Sequence, residues 1–192
     1  MAIDEKCLTE TFVEGAYADE RFRQAAGVVW QNSRGRIWII GGYLYKNLIR
    51  AMHGNAVPAK DYDFVVEFPR KNIHLPDGWR MKENRFGNFK FWNGKCEIDF
   101  IALEKILSIT QRNLPPTIEN YIGGVNFNVF ALAYDLHDER IIDGGGLEAL
   151  SSKVVRVHNP EMAGIAAGIY GTNVNDMMML KAEEIGFAFE EV

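Results

Sequence analysis

The stretch RIWIIGGYLYKNLIRAMHG, residues 36–54, constrains the fold more than any other part of the chain. RIWII is a short run of β-branched and aromatic residues and reads as a buried strand. Gly41 and Gly42 follow with no linker. Leu44, Leu48, Ile49 and Met52 then recur at helical spacing until Gly54 stops the pattern. The order is strand, tight glycine turn, helix. Glycines at the junction also let a phosphate approach the backbone and the free N–H groups of the helix start.

Beyond the loop NAVPAK lies KDYDFVVE, residues 60–67. Tyr62, Phe64, Val65 and Val66 predict a half-buried strand, yet aspartate is depleted in strands. Asp61 and Asp63 are two residues apart, so a strand points them to the same side of the sheet. That face is either wet or occupied by something positively charged. Further on, NRFGNFKFWNGKCEIDFIAL predicts a β-hairpin, with Asn93-Gly94 supplying the positive φ angles of a two-residue turn. In its second arm Cys96, Ile98 and Phe100 share one face, while Glu97, Asp99 and Ile101 share the other. A third aspartate thus falls on a strand among apolar neighbours.

The remaining pattern is less exacting. DERFRQAAGVVWQNSRG predicts a helix burying Phe22, Ala25, Ala26, Val29 and Trp30 and ending at Gly35. Residues 69–83 are polar, with Pro69, Pro76 and Gly78, and read as loop. A helix is expected over 104–111, then a break at Pro115-Pro116. VNFNVFALAYDLHD, ERIID, a glycine turn at 144–146, a short LEAL helix and KVVRVH come next. The tail from 160 predicts one or two helices packed on the body.

Composition narrows the class. At 192 residues with 47% apolar side chains, the chain suits one domain, or one with an appendage. No apolar run is long enough to cross a bilayer, and the acidic start MAIDEKCLTETF is no secretory signal. Cys7 and Cys96 are far apart, so neither a disulfide framework nor a cysteine zinc site is expected, and a cytoplasmic location is. The net charge of −5 argues against a broadly basic nucleic-acid coat. Residues 34–95 nevertheless hold twelve Lys/Arg against five Asp/Glu, a local +7 that leaves −12 on the rest. That segment is either a solvated charged surface or one that faces phosphates.

A glycine turn opening a helix, Asp-x-Asp on the next strand and a lone aspartate on a later strand form one constellation. Three carboxylates from neighbouring strands can hold two Mg²⁺ ions, which prefer oxygen ligands. Two such ions activate an attacking hydroxyl and stabilise the leaving phosphate in an in-line displacement.

This series resembles the nucleotidyltransferase superfamily typified by DNA polymerase β. More narrowly it is similar to the head and neck of class II tRNA CCA-adding enzymes and bacterial poly(A) polymerases. IWIIGGYLYKNLI matches their strand, Gly-Gly turn and helix, and KDYDFVV their Asp-x-Asp strand. FALAYDLHDERIIDGGGLEALSSKVVRV and LKAEEIGFAFEE follow their later motifs. The resemblance implies an α+β nucleotidyltransferase fold, with a mixed or antiparallel sheet flanked by helices and a C-terminal helical neck. Residues 1–18 would be an N-terminal segment, 19–157 the head and 158–192 the neck. It further implies that Asp61, Asp63 and Asp99 ligate two Mg²⁺ ions, with Mn²⁺ an alternative, and that Asp99 helps deprotonate the acceptor. Gly41, Gly42, Tyr43, Lys60 and Asn126 would hold the nucleoside triphosphate (NTP).

The chain departs from the family where that family uses arginine. Tyr45 and Lys46 stand where an Arg-Asp pair is usual, and the ribose- and triphosphate-reading motif becomes Gly124 to Ala131, with both arginines absent. The base-selecting motif before the neck helix is not legible in TNVNDMMMLK. Arginine forks give bidentate recognition that these residues cannot copy. The chain also ends at the neck-like helix, so CCA addition is not expected.

Smaller features have plainer readings. Phe86, Phe89, Phe91 and Trp92 are expected to fill the sheet rather than stack bases, the four histidines lack ligand spacing, and Met177 to Met179 read as a packing face. Glu67 and Glu97 share strand faces with the aspartates and are candidates to assist them. Two functions stay open. One is a Mg²⁺-dependent transferase moving a nucleoside monophosphate to an RNA 3′ end, a protein or a small molecule. The other is a non-catalytic binder of nucleotide, RNA or protein built on the same head. No membrane partner is expected.

Overall fold

The computed structural model describes residues 5–54, 58–59 and 61–191. Two helices open the chain, α1 (Glu5–Ala18) and α2 (Glu20–Asn32). Asp19 caps α2 by accepting from the backbone N–H groups of Arg21 and Phe22. Strand β1 (Ser33–Ile40) runs straight into α3 (Gly41–His53), and β2 (Tyr62–Pro69) follows. Next come β3 (Arg80–Glu83), β4 (Phe89–Trp92) and β5 (Glu97–Ala102). Short helices α4 (Leu107–Gln111) and α5 (Ile118–Ile122) lead to β6 (Leu132–Asp135) and β7 (Arg140–Asp143). The chain ends through α6 (Gly146–Ser152), β8 (Val154–Val155), α7 (Pro160–Tyr170), α8 (Val174–Ile185) and β9 (Ala188–Phe189).

Seven strands form one sheet in the order β3-β4-β5-β2-β1-β6-β7. Within this sheet β2 and β5 pair parallel and the other described neighbours are antiparallel, while β8 and β9 form a separate parallel pair. The α+β architecture with a mixed sheet is therefore as expected. Strand alternation sorts the side chains into two layers. Ile37, Ile39, Phe64, Phe91, Ile98 and Phe100 face a large core closed by α1, α2, α3, α6 and α8. Trp38, Ile40, Val65 and Ala133 face a smaller core under α4 and α5. The large core runs without a break from Phe12 in α1 to Ile185 in α8. Each fully buried large apolar side chain contributes about 1.5–3 kcal/mol.

Four local expectations are corrected. Trp30 is 43% exposed and packs on His137, while Val28 takes a place in the core of α2. The strand after α2 begins at Ser33 rather than residue 36, because a bulge between Arg34 and Ile37 accommodates Gly35 at φ 70°. Residues 80–83 form an edge strand inside a stretch expected to be loop. In the hairpin, only Gly94 has positive φ (84°), and Asn93 sits at the corner with its Oδ1 accepting from the N–H groups of Lys95 and Cys96. The strands close at Trp92 opposite Glu97.

Candidate active site

Three pieces of local structure converge where β1 ends and β2 begins. Gly41 adopts φ 64°, which lets the chain turn into α3 within one residue. A Cβ on Gly41 would collide with the Asp63 carboxylate, so that carboxylate occupies the space the missing side chain leaves. Nothing lies near the corresponding position on Gly42. The backbone N–H of Gly42 favours the charged form of the Asp63 carboxyl. Helix α3 has no side-chain cap of its own, so this carboxylate meets the positive end of its dipole.

Strand register brings the acids together. Asp63 lies directly opposite Asp99 in the parallel β2–β5 pair, and Asp99 lies opposite Lys90 in the antiparallel β4–β5 pair. Ile40, Asp63, Asp99, Lys90 and Lys82 therefore form one lateral row across five strands. Asp61 immediately precedes β2 and acts electrostatically on both other aspartates. Lys90 Nζ stands 3.5 Å from Asp99 and 3.4 Å from Glu97.

The electrostatics follow from this crowding. Burial, then the charges of Asp61 and Asp99, push the Asp63 carboxyl up to about 7, against the opposing Gly42 N–H and Lys90. Asp99 is also raised, chiefly by burial, with Lys90 working against the shift and Asp61 adding to it. Burial acts to lower the Lys90 ammonium pKa, but Asp99 and Glu97 outweigh it and hold that group above its ordinary value.

Asp63 and Asp99 open on a groove with two arms. The acid arm has a volume of about 300 Å³ and is lined by Asp63, Asp99, Asn84, Asn88, Lys105 and Tyr121, among others. The adjoining apolar arm, about 350 Å³, runs between the 106–108 segment, Gly124 to Asn126 and the α7 residues Met162, Ile169 and Tyr170. Phe86, Ile106, Leu107 and Tyr121 line both arms. Phe86 is 43% exposed there with the Arg85 guanidinium over its ring, so it is not the sheet filler expected of it. Burial raises the pKa of the Tyr121 hydroxyl, and the Asp63 charge adds to that effect.

The other expected site residues fall as follows. Asn126 lines the apolar arm. Tyr43 does not reach the groove with its side chain, which is buried, stacked on Phe22 at 4.9 Å and directed to Asp19. One residue of helix advances the side chain by about 100°, which carries Tyr43 from the turn into the core. Lys60 lies outside the described residues. Glu67 lies at the other end of β2, accepting from the Arg36 N–H at 2.9 Å, and so stands apart from the aspartates. Gly145 and Leu147 donate their N–H groups to Asp143, so the 144–146 turn is satisfied internally.

Tyr45 and Lys46, at the two arginine–aspartate positions of the related motif, are buried against α8. Lys46 pairs with Glu184 at 2.6 Å, and Lys181 bonds both Glu184 and the Tyr45 hydroxyl. Sequence reading alone passed over Lys90, Lys105 and Tyr121. Lys90 carried a usable signal, since it alternates with Phe89 and Phe91 on the outward face of a strand paired with Asp99's.

Among the described residues, no group of three or more His, Cys, Asp or Glu is gathered closely enough to enclose a metal ion. The donor chemistry nonetheless suits a hard cation. The carboxylates supply oxygen ligands only, and burial, then mutual repulsion, keeps Asp63 short of its usual acidity. Mg²⁺ commonly binds through one or two carboxylates, with water and substrate phosphates completing its shell. An open pair such as Asp63 and Asp99 fits that mode.

A seven-stranded mixed sheet with a Gly-Gly turn and paired acids at its strand ends defines a nucleotidyltransferase fold. Its arrangement is that of the head of the CCA-adding enzymes. The chain is similar to a CCA-adding enzyme solved with CTP, with a TM-score of 0.61 at 18% identity over 96% of this chain and 43% of that one. A tRNA-processing enzyme with CTP gives a TM-score of 0.55 at 22% identity, over 81% of this chain and 40% of that one. The Thermotoga maritima CCA-adding enzyme complexed with tRNA gives 0.52 at 17%, over 99% of this chain and 40% of that one. The chain thus spans less than half the length of these proteins. No family model matches the sequence, and no curated protein matches it either. Among the described residues, no helix is long and apolar enough to cross a membrane.

Proposed function

We propose that this protein is a divalent-metal-dependent nucleotidyltransferase that moves a nucleoside monophosphate from an NTP to a hydroxyl acceptor. The observation that carries this reading is the lateral pairing of Asp63 with Asp99 beside the N-terminus of α3. A structural role requires neither acid there, and the cost of holding both charged at neutral pH is one that a cationic ligand recovers. Asp61, Asp63 and Asp99 would hold Mg²⁺, or Mn²⁺ in its place. Such ions supply charge stabilisation for the phosphates and acidify the acceptor hydroxyl.

The chain's own groups account for the remainder. The open backbone at Gly42 and the N-terminus of α3, next to Ile40 and Asp63 of the acid arm, favour a triphosphate at that end of the groove. Asn126 and Phe86 favour the nucleoside in the apolar arm. Asp99, whose proton affinity is raised, takes the acceptor proton. The acceptor oxygen then bonds to the α-phosphorus, the α–β phosphoanhydride bond breaks, and pyrophosphate leaves with the electron pair. Residues 19–157 would form the catalytic head and 158–192 the neck, with RNA, a protein or a small molecule as acceptor in the cytoplasm.

A second reading, a nucleotide or RNA binder without turnover, draws on the burial of Tyr45 and Lys46 against α8, away from the groove. One experiment separates the two. The protein is incubated with Mg²⁺ or Mn²⁺ and each α-labelled NTP, beside total RNA and lysate protein. Label transferred by the wild type and lost in Asp63→Asn and Asp99→Asn supports the enzyme. Nucleotide binding without transfer to any acceptor leaves the binder.

A further inference from the structure

The far end of the β1–β2 pair carries a second polar depression that the groove does not use. A cavity of about 460 Å³ is lined there by Gln31, Arg34, Phe68, Arg70, Lys71 and His74, with two further residues. Its frame is fixed. Asn32 is fully buried, and its side chain donates to the His74 carbonyl at 2.8 Å and accepts from the His74 N–H at 2.6 Å. The Arg70 N–H donates to the Asn32 carbonyl at 2.8 Å. The segment bearing Arg70, Lys71 and His74 is thereby clamped to the end of α2.

On this frame Arg34, Arg70 and Lys71 are all exposed, and no carboxylate pairs with any of them among the described residues. The neighbouring acid, Glu67, is engaged by the backbone N–H of Arg36. Arg34 on β1 and Arg70 and Lys71 on the clamped segment line one depression and repel one another until an anion arrives. Between them sits Phe68, 58% exposed and directly opposite Arg34 in the β1–β2 register. An exposed aromatic ring that shares a depression with three cations matches neither a core residue nor a simple anion site. It matches a surface that tracks phosphates and stacks a base.

We propose that this depression binds a single-stranded polynucleotide, with phosphates on Arg34, Arg70 and Lys71 and a base on Phe68. Phe68 is five residues along β2 from Asp63, about 16 Å at the strand rise, so the surface is separate from the catalytic groove. Its use in holding an RNA acceptor rests on the transferase reading, but the binding does not.

The test measures anisotropy of a labelled RNA oligomer of about twelve nucleotides in EDTA, without NTP. Arg70→Glu with Lys71→Glu should weaken binding at least about tenfold and reduce the salt slope by about 1.4. Phe68→Ala should weaken it roughly five- to tenfold. Arg70→Gln with Lys71→Gln should act in the same direction, which guards against misfolding of the charge reversal. Thermal stabilisation by NTP and Mn²⁺ should be unchanged in all three. Absence of RNA binding by the wild type, or binding indifferent to these variants, overturns the proposal. So does a Phe68→Ala protein that binds as the wild type does while tripolyphosphate or polyglutamate displaces RNA equally well. Failure of the transferase reading alone would leave RNA binding in EDTA intact.

Discussion

The two arms of the groove are built by different means. The acid arm is fixed by strand register, in which Asp63, Asp99 and Lys90 are consecutive partners on β2, β5 and β4. The apolar arm is made of loops and helices, with Gly124 and Val125 among its lining residues. A β-ladder sets neighbouring side chains about 5 Å apart and allows little adjustment. A wall of apolar loop and helix residues has few groups to orient a ligand's edges. Chemistry is therefore expected to be demanding in the first arm, and nucleoside selection to be tolerant in the second.

The largest test of this contrast is removal of an acid. Asp63→Asn or Asp99→Asn should lower nucleotidyl transfer about a thousandfold or more, because a water in the vacated position restores neither the charge nor the fixed placement of the lost carboxylate. Transfer should be measured beside NTP affinity, which should change far less. Retention of most activity in both variants would mean that the paired acids are not the chemical centre.

Next in size is the glycine on which the acid arm depends. Gly41→Ala should destabilise the protein by about 2–4 kcal/mol, from positive φ together with the collision against Asp63. Urea denaturation measures this directly. The loss should shrink when Asp63 is replaced by Gly in the same chain, since the obstacle is then gone. An equal loss in both backgrounds would show that backbone strain alone accounts for the glycine.

The acid arm was the more legible part in sequence, and the reason is physical. Aspartates among β-branched and aromatic residues contradict strand propensity, and a Gly-Gly pair between a strand and a helix permits few geometries. Features set by tertiary contact were less readable. The edge strand Arg80–Glu83 is exposed at every position, so it carries no apolar alternation. The hairpin was foreseen with both Asn93 and Gly94 at positive φ, whereas only Gly94 has it. With Asn93-Gly94 as the two central residues, Lys90 would face Glu97. The observed turn moves the pairing by two residues and brings Lys90 opposite Asp99. Side-chain faces survive a shift of two, which explains why the faces read correctly and the ion pair did not. Phe86 and the α7 wall belong to the apolar arm and depend on how the chain packs over long distances.

The acid arm should also reveal itself through pH. Folded Asp63 holds its proton up to about pH 7, whereas the unfolded chain releases it near pH 4. The native state therefore binds more protons over that interval, and stability falls as pH rises from about 4 to about 7. Melts in EDTA at pH 5 and pH 8 should differ between wild type and Asp63→Asn by roughly 2–4 kcal/mol, the wild type losing more at pH 8. Mg²⁺ or Mn²⁺ at pH 8 should restore much of the wild-type loss. Parallel pH profiles for the two proteins would contradict the burial of Asp63 and the crowding of charge around it.

The apolar arm should give the smallest response. Phe86→Ala removes an exposed ring that lines both arms and packs under Arg85. Stacking of one base on one ring is worth about 1 kcal/mol or somewhat more, so NTP affinity should fall roughly three- to tenfold. The transfer rate at saturating NTP should stay within about twofold, because the ring touches neither the α-phosphorus nor the acceptor oxygen in the proposed arrangement. Purines should suffer more than pyrimidines, since they offer the larger stacking face. A rate loss comparable to that of the aspartate variants would break the division of labour between the arms, because Phe86 would then be positioning the reacting phosphate rather than the base.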